Sequence, residues 1–225
     1  PDASASTNNA TIVAAIGVAA ALGGGYVEMP AGTYTYTSFT VSPGVILRGA
    51  GEDVTVLQSA QAVKTVTLGG DLSGLEDITI DGVSNQAGST GVYSKANDRL
   101  RVNRTKLKRF ETGLHLQGAQ RCEFNELSID SCASGAKIHG DINASGGSDG
   151  SVCHNNRWNG GIVSVCTTVG IELKYVDRQC WNNELDHIGF VDNTGIGLRV
   201  YGARHTRLGA GCWFDGNTTH LDVRD

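Results

Sequence analysis

Thr112-Gly113-Leu114-His115-Leu116 is a small residue, a glycine, and then alternating apolar and polar positions, and the pattern returns along the chain. Thr90-Gly91-Val92-Tyr93-Ser94, Ser134-Gly135-Ala136-Lys137-Ile138, Val169-Gly170-Ile171-Glu172-Leu173 and Thr194-Gly195-Ile196-Gly197-Leu198 repeat it, with Thr219-His220-Leu221-Asp222-Val223 a degraded sixth. Their starts step by 22, 22, 35, 25 and 25 residues. A period of this size marks a solenoid, in which each repeat buries its apolar face against its neighbours. Period-two alternation makes the repeating unit a strand, and helical spacing of apolar positions is not sustained after residue 25.

Upstream of each glycine lies a second apolar pair: Ile78/Ile80, Thr105/Leu107, Leu127/Ile129 and, less clearly, Leu185/Ile188. A third precedes it: Leu100/Val102, Cys122/Phe124, Cys153/Asn155, Cys180/Asn182 and Thr206/Leu208, followed by asparagines at 103, 125, 156 and 183. Three short strands per coil joined by tight turns predict an all-β parallel helix, with the asparagines stacked as turn residues. Residues 9–22 carry the one helical signal: Asn9 as N-cap, Ile12, Ile16, Ala19 and Leu22 on one face, and Gly23-Gly24-Gly25 as the stop. Such a helix would cap the open end of the stack. The expected organisation is a single domain over 1–225, with the cap region at 1–25 and coils over 26–225.

Eighteen Lys and Arg stand against 23 Asp and Glu, a net charge of −5, which gives no overall attraction for nucleic acid. The longest apolar run, Ile12 to Leu22, is too short to cross a bilayer. The chain opens at Pro1 without methionine or signal peptide, so it reads as a processed or, in preference, an excised part of a longer protein.

Gly24-Gly25-Tyr26-Val27-Glu28-Met29-Pro30-Ala31-Gly32-Thr33-Tyr34 follows the helix, and Val45-Ile46-Leu47-Arg48-Gly49-Ala50-Gly51 comes next. This order resembles the opening of the pectate-lyase-like right-handed β-helix superfamily, which includes phage tailspikes and polysaccharide-degrading enzymes. The resemblance implies a right-handed parallel β-helix with an N-terminal capping α-helix, a polysaccharide partner, an extracellular or virion location and a homotrimer. Its members include lyases, hydrolases, epimerases and non-catalytic adhesins, so activity rests on a site. A depolymerase acting on acidic glycan and a non-catalytic adhesive module both fit. No cofactor is implied.

With Leu114 and Leu116 inward, the outward column of the glycine strand reads Tyr93, His115, Lys137, Glu172, Gly197, Asp222. The column beside it reads Lys95, Gln117, His139, Lys174, Arg199, Arg224. Cations about 4.8 Å apart along a solenoid axis suit an anionic polymer, and Tyr93, His115, Lys137, His139, Lys174 and Arg199 are the candidate glycan contacts. Glu172 and Asp222, two coils apart across Gly197, are candidate acid and base with room for a sugar between them. Asp186-His187 matches a dipeptide of pectate lyases, without the arginine-proline-arginine motif that accompanies it, and adjacent strand residues point to opposite faces. Arg104-Thr105-Lys106 matches the R-x-K of polygalacturonases in letters, without their other motifs.

Cys122, Cys153 and Cys180 are expected in one inward column as free thiols, with Cys132, Cys166 and Cys212 near later turns. No C-x-x-C or Cys/His spacing points to a metal. Residues 139–152 stretch one repeat and form a Gly/Ser/Asp loop expected to wall the groove beside Lys137 and Glu172.

Overall fold

A computed structural model describes residues 4–140, 152–175 and 180–224. Its helix spans Ala5–Ala21, four residues further back than the sequence suggests. Ser4 is the N-cap, its hydroxyl accepting from the Thr7 amide at 3.3 Å. Residues 4 to 9 hold several capping types, and the first one reached starts the helix. Asn9 instead accepts from the Thr37 hydroxyl, and buried Asn8 donates to the Thr35 carbonyl at 3.0 Å, tying the helix to the first coil. Ile12 and Ile16 are buried on that coil, while Leu22 lies outside the apolar face and is 80% exposed.

Every strand pairing after the helix is parallel. One sheet of eight strands runs Phe39–Val41, Lys64–Leu68, Thr90–Lys95, Thr112–Gln117, Ser134–Gly140, Val169–Tyr175, Ile196–Tyr201 and Thr219–Arg224 in spatial order. A 13-stranded sheet supplies the other sides of the coils. Its long members Gly74–Asp81, Arg101–Lys108 and Glu123–Asp130 bend at Asp77, Arg104 and Glu126, which all have positive φ, so one strand serves two sides. A two-stranded sheet, Cys153–His154 with Cys180–Trp181, fills a corner. This is the parallel β-helix that the repeats predict, with the right-handed coil and N-terminal capping helix that the resemblance implies.

The repeating glycine has a steric origin. A Cβ on Gly91 would lie 2.7 Å from the Gly113 carbonyl oxygen, one on Gly113 2.7 Å from that of Gly135, one on Gly135 2.3 Å from that of Gly170, and one on Gly170 2.4 Å from that of Gly197. Inward Leu114 and Leu116 are fully buried beside this column. The glycine following Gly170 in the column is therefore Gly197, and Gly195 stands outside it. Val169 pairs with Ile196, Glu172 with Arg199 and Lys174 with Tyr201, a two-residue shift from the register expected for that repeat.

Two other expected columns are redistributed. Cys153 and Cys180 do stack, but between Ala119 and Ala203. Cys122 belongs to the next column, Leu100–Cys122–Asn156–Asn183. Asn156 and Asn183 share buried amide bonds in that column, Nδ2 to Oδ1 at 3.0 Å. Asn103 and Asn125 form a separate pair, also at 3.0 Å, so the four expected asparagines divide in two. At another corner Phe110, Cys132, Cys166, Asn193 and Asn217 succeed one another, and the Asn193 amide donates to Asn217 Oδ1 at 2.6 Å. All six cysteines are free thiols, and burial pushes Cys122 and Cys132 up to about 12.

Left-handed residues also stack at the corners. Arg109, Ser131, Val165, Asp192 and Gly216 have φ of 62°, 54°, 54°, 51° and 63°. Val165 is β-branched and 46% exposed, so its side chain contributes little packing while its backbone strain remains. Val165→Gly should raise stability by about 1 kcal/mol in urea unfolding. An equal loss instead would show that the valine side chain matters more than its backbone.

Candidate functional site

The eight-stranded sheet carries an unbroken line of side-chain contacts on its outer face. Lys64 Nζ lies 3.4 Å over the Tyr93 ring, which meets His115 edge-on at a centroid distance of 5.7 Å. His115 meets His139 at 5.5 Å, across a diagonal between columns. His139 Nε2 is 2.9 Å from Glu172 Oε1, and Glu172 Oε2 is 3.1 Å from Arg199 Nη1. Arg199 Nε then reaches Asp222 at 3.2 Å, and Asp222 accepts from Arg224 Nε at 2.9 Å.

This line changes the reading of the two carboxylates. Glu172 and Asp222 are two coils apart as expected, but Arg199 stands between them and fills the space assigned to a sugar over Gly197. The Glu172 side chain is 12% exposed and its pKa falls to about 2. The His139 hydrogen bond contributes most to that fall, burial opposes it, and Arg199 adds to it. Asp222 is also held below its usual range, by its hydrogen bond to Arg224 before all else. Both are fixed anions at neutral pH, so neither carries a proton to donate.

Of the expected glycan contacts, Tyr93 is 8% exposed, covered by Lys64 and bonded through its hydroxyl to Gln117 at 2.6 Å. His139 and Arg199 are committed to Glu172. Among the described residues Lys137 and Lys174 make no ion pair, and Lys174 Nζ lies 5.7 Å over the Tyr201 ring. Tyr201, 40% exposed, is a member of this face that the shifted register had concealed. Glu172, Lys174, Arg199, Tyr201 and Arg224 line a shallow pocket of about 240 Å³. Of the loop 139–152 expected to wall this groove, residues 141–151 lie outside the described residues.

Asp186 and His187 differ from the expectation of opposite faces. The strand ends at Asp186, and His187 turns left-handed with φ 52°, bringing its Nδ1 to 3.2 Å from Asp186 Oδ1. The same carboxylate oxygen accepts from the His187 and Gly211 amides, so the pair closes a turn. This dyad lies on the larger sheet, away from the groove. Arg104 and Lys106, the two basic residues of the R-x-K match, are held by Asp77 and Asp53 at 2.6 and 3.0 Å. Among the described residues no three His, Cys, Asp or Glu side chains converge as metal ligands, and no helix is long and apolar enough to cross a membrane.

No protein-family model matches the chain, and no curated protein matches it in sequence. Solved structures do match in fold. The capsular polysaccharide depolymerase tailspike gp49 of the Acinetobacter baumannii bacteriophage Fri1 superposes with a TM-score of 0.66 at 13% identity, covering 96% of this chain and 46% of that one. The A-module of the Azotobacter vinelandii mannuronan C-5 epimerase AlgE6 gives 0.53 at 18% identity, covering 95% and 74%. The periplasmic alginate epimerase AlgG gives 0.54 at 11% identity, covering 88% and 48%. At these identities the likeness is one of fold, and it sets the chain among the parallel β-helix proteins.

Glu172 is depressed from an ordinary 4.5 to about 2, so its ionised form stabilises the fold above the ordinary value and that contribution is lost as pH falls towards 2. Glu172→Gln should therefore lower urea stability at pH 7 by roughly 1–3 kcal/mol. Parent and variant should converge as pH approaches 2. A gap independent of pH would mean that the ion pairs are not its source.

Proposed function

We propose that this chain is a polysaccharide-binding β-helix whose ligand, an anionic glycan, lies along the outer face of the eight-stranded sheet. The observation that carries this reading is the combination, on one face, of an extended polar line with two cations, Lys137 and Lys174, that no described carboxylate neutralises. An extended polymer carrying carboxylates suits two lysines set on adjacent coils, about 4.8 Å apart along the axis and offset across it. Tyr201 beside Lys174 offers a ring face to a sugar. The tailspike and epimerases of like fold act on capsular polysaccharide and on mannuronan or alginate, which supports the ligand class. They favour an extracellular, periplasmic or virion setting for the same reason.

Binding without turnover is the reading that Glu172 and Asp222 favour, since both are ionised and engaged with arginines. The alternative is a depolymerase, hydrolase or lyase, in which the same carboxylates take part in cleavage. One experiment addresses both. Alginate, polygalacturonate and acidic capsular polysaccharides are titrated against the protein, with release of reducing ends or unsaturated products followed in parallel.

Affinity should fall steeply from about 0.01 to about 1 M salt, as the screening length drops from about 30 to about 3 Å. Lys137→Ala with Lys174→Ala should weaken binding about tenfold or more at unchanged melting temperature, because neither lysine is part of the ion line. Unchanged affinity would remove the groove from this face. Product release that Glu172→Gln abolishes would establish the depolymerase instead. The superfamily resemblance adds a homo-oligomer to the proposal, and light scattering at high concentration should report a mass above that of one chain.

A further inference from the structure

The bend of the larger sheet carries a second cleft, of about 510 Å³, remote in charge and composition from the lysine face. Glu52, Glu126 and the Asp77–Arg104 ion pair line it, together with Ser128, Gly161, Ile162 and Trp213. Ser128, Ile162, Gly189 and Trp213 are successive positions of one outward column. The Trp213 ring lies back across Gly189, where a Cβ would come within 2.3 Å of its Cζ2. Gly161 is bare for a similar reason: a Cβ on it would fall 2.1 Å from the Leu127 carbonyl oxygen. The result is an indole that is 47% exposed and an isoleucine that is 43% exposed in the same cleft as two carboxyls.

The acids beside those two carboxyls at the bend are paired. Asp53 is paired with Lys106, Glu76 with Arg48 and Arg104, Asp77 with Arg104, and Asp81 with Arg109. Among the described residues, Glu52 and Glu126 hydrogen-bond to no side chain and form no ion pair. Glu52 is half-buried, and that burial raises its pKa; Lys106 opposes the rise, and the charges of Asp53, Glu126 and Asp77 add to it. Lys106 and Arg104, the nearest cations, already hold other carboxylates.

We infer that this cleft is a binding site for a cationic amino sugar, its ammonium group taken by Glu52 and Glu126 and its apolar ring face laid on Trp213 and Ile162. An indole beside carboxylates provides what such a residue needs, a flat apolar platform and charge-assisted acceptors. A uronate would meet like charge here, so the site and the lysine face select opposite ligands. The inference stands independently of the glycan assigned to the eight-stranded sheet.

The test is titration of the whole chain with glucosamine pentamer and N-acetylglucosamine pentamer, at a pH that keeps amine and carboxyls ionised, read by calorimetry and tryptophan emission. Glucosamine pentamer should bind, and the N-acetylated pentamer should bind at least about tenfold more weakly, because acetylation removes the charge. Glu126→Gln and Glu52→Gln should each weaken glucosamine pentamer about tenfold, and Trp213→Ala should remove the emission change. The Lys137/Lys174 double variant should bind it as the parent does. No binding by glucosamine pentamer, equal binding of both pentamers, or parental affinity in Glu126→Gln would overturn the site.

Discussion

The middle of the stack, from Gly91 to Gly197, depends on how closely one coil's glycine approaches the next coil's backbone. From Gly91 to Gly170 a methyl group would sit 2.3–2.7 Å from the following glycine's carbonyl oxygen, where no atom fits. Coils can therefore sit at strand spacing with their inward leucines and isoleucines in register. Once this column is fixed, the alternation of the strand decides which residues enter the core and which form the outer face. The candidate groove is thus a by-product of the steric requirement that generates the repeat.

This dependence explains how far the sequence could be read. The glycine and its flanking alternation identify the fold, and Leu114, Leu116 and their counterparts are inward as the pattern requires. The same rule failed locally at Thr194-Gly195-Ile196-Gly197, because two glycines two residues apart satisfy it equally on paper. The strand register sets Gly197 opposite Gly170, and it moves Arg199 between Glu172 and Asp222. The corner columns were blurred for another reason. Coils differ in corner length, so Cys122 aligns with Asn156 and not with Cys153. The His139–Glu172 and His115–His139 contacts run diagonally between columns, and a reading that sorts residues column by column does not find them.

Charge is distributed over the two faces in contrasting ways. On the eight-stranded sheet the carboxylates are consumed by histidine and arginine, which leaves lysines over. On the bend of the larger sheet the arginines and Lys106 are consumed by aspartates and Glu76, which leaves two glutamates over. A net charge of −5 reveals neither surplus, because each arises from local pairing and not from the total.

The corner columns that pass from Phe110 and Leu100 through cysteine to Asn193, Asn217, Asn156 and Asn183 make the two ends of the solenoid thermodynamically unlike. Leu100 and Phe110 fill these two corners with hydrocarbon, whereas Asn156, Asn183, Asn193 and Asn217 fill them with chains of amide hydrogen bonds. Hydration of exposed apolar surface raises heat capacity by about 0.45 cal/mol/K per Å², whereas exposed polar surface lowers it by about 0.26. The asparagine-cornered coils thus unfold with a smaller heat-capacity increment per residue and follow a flatter curve of stability against temperature. One continuous stack contains two segments whose resistance to cooling and heating is built from different chemistry.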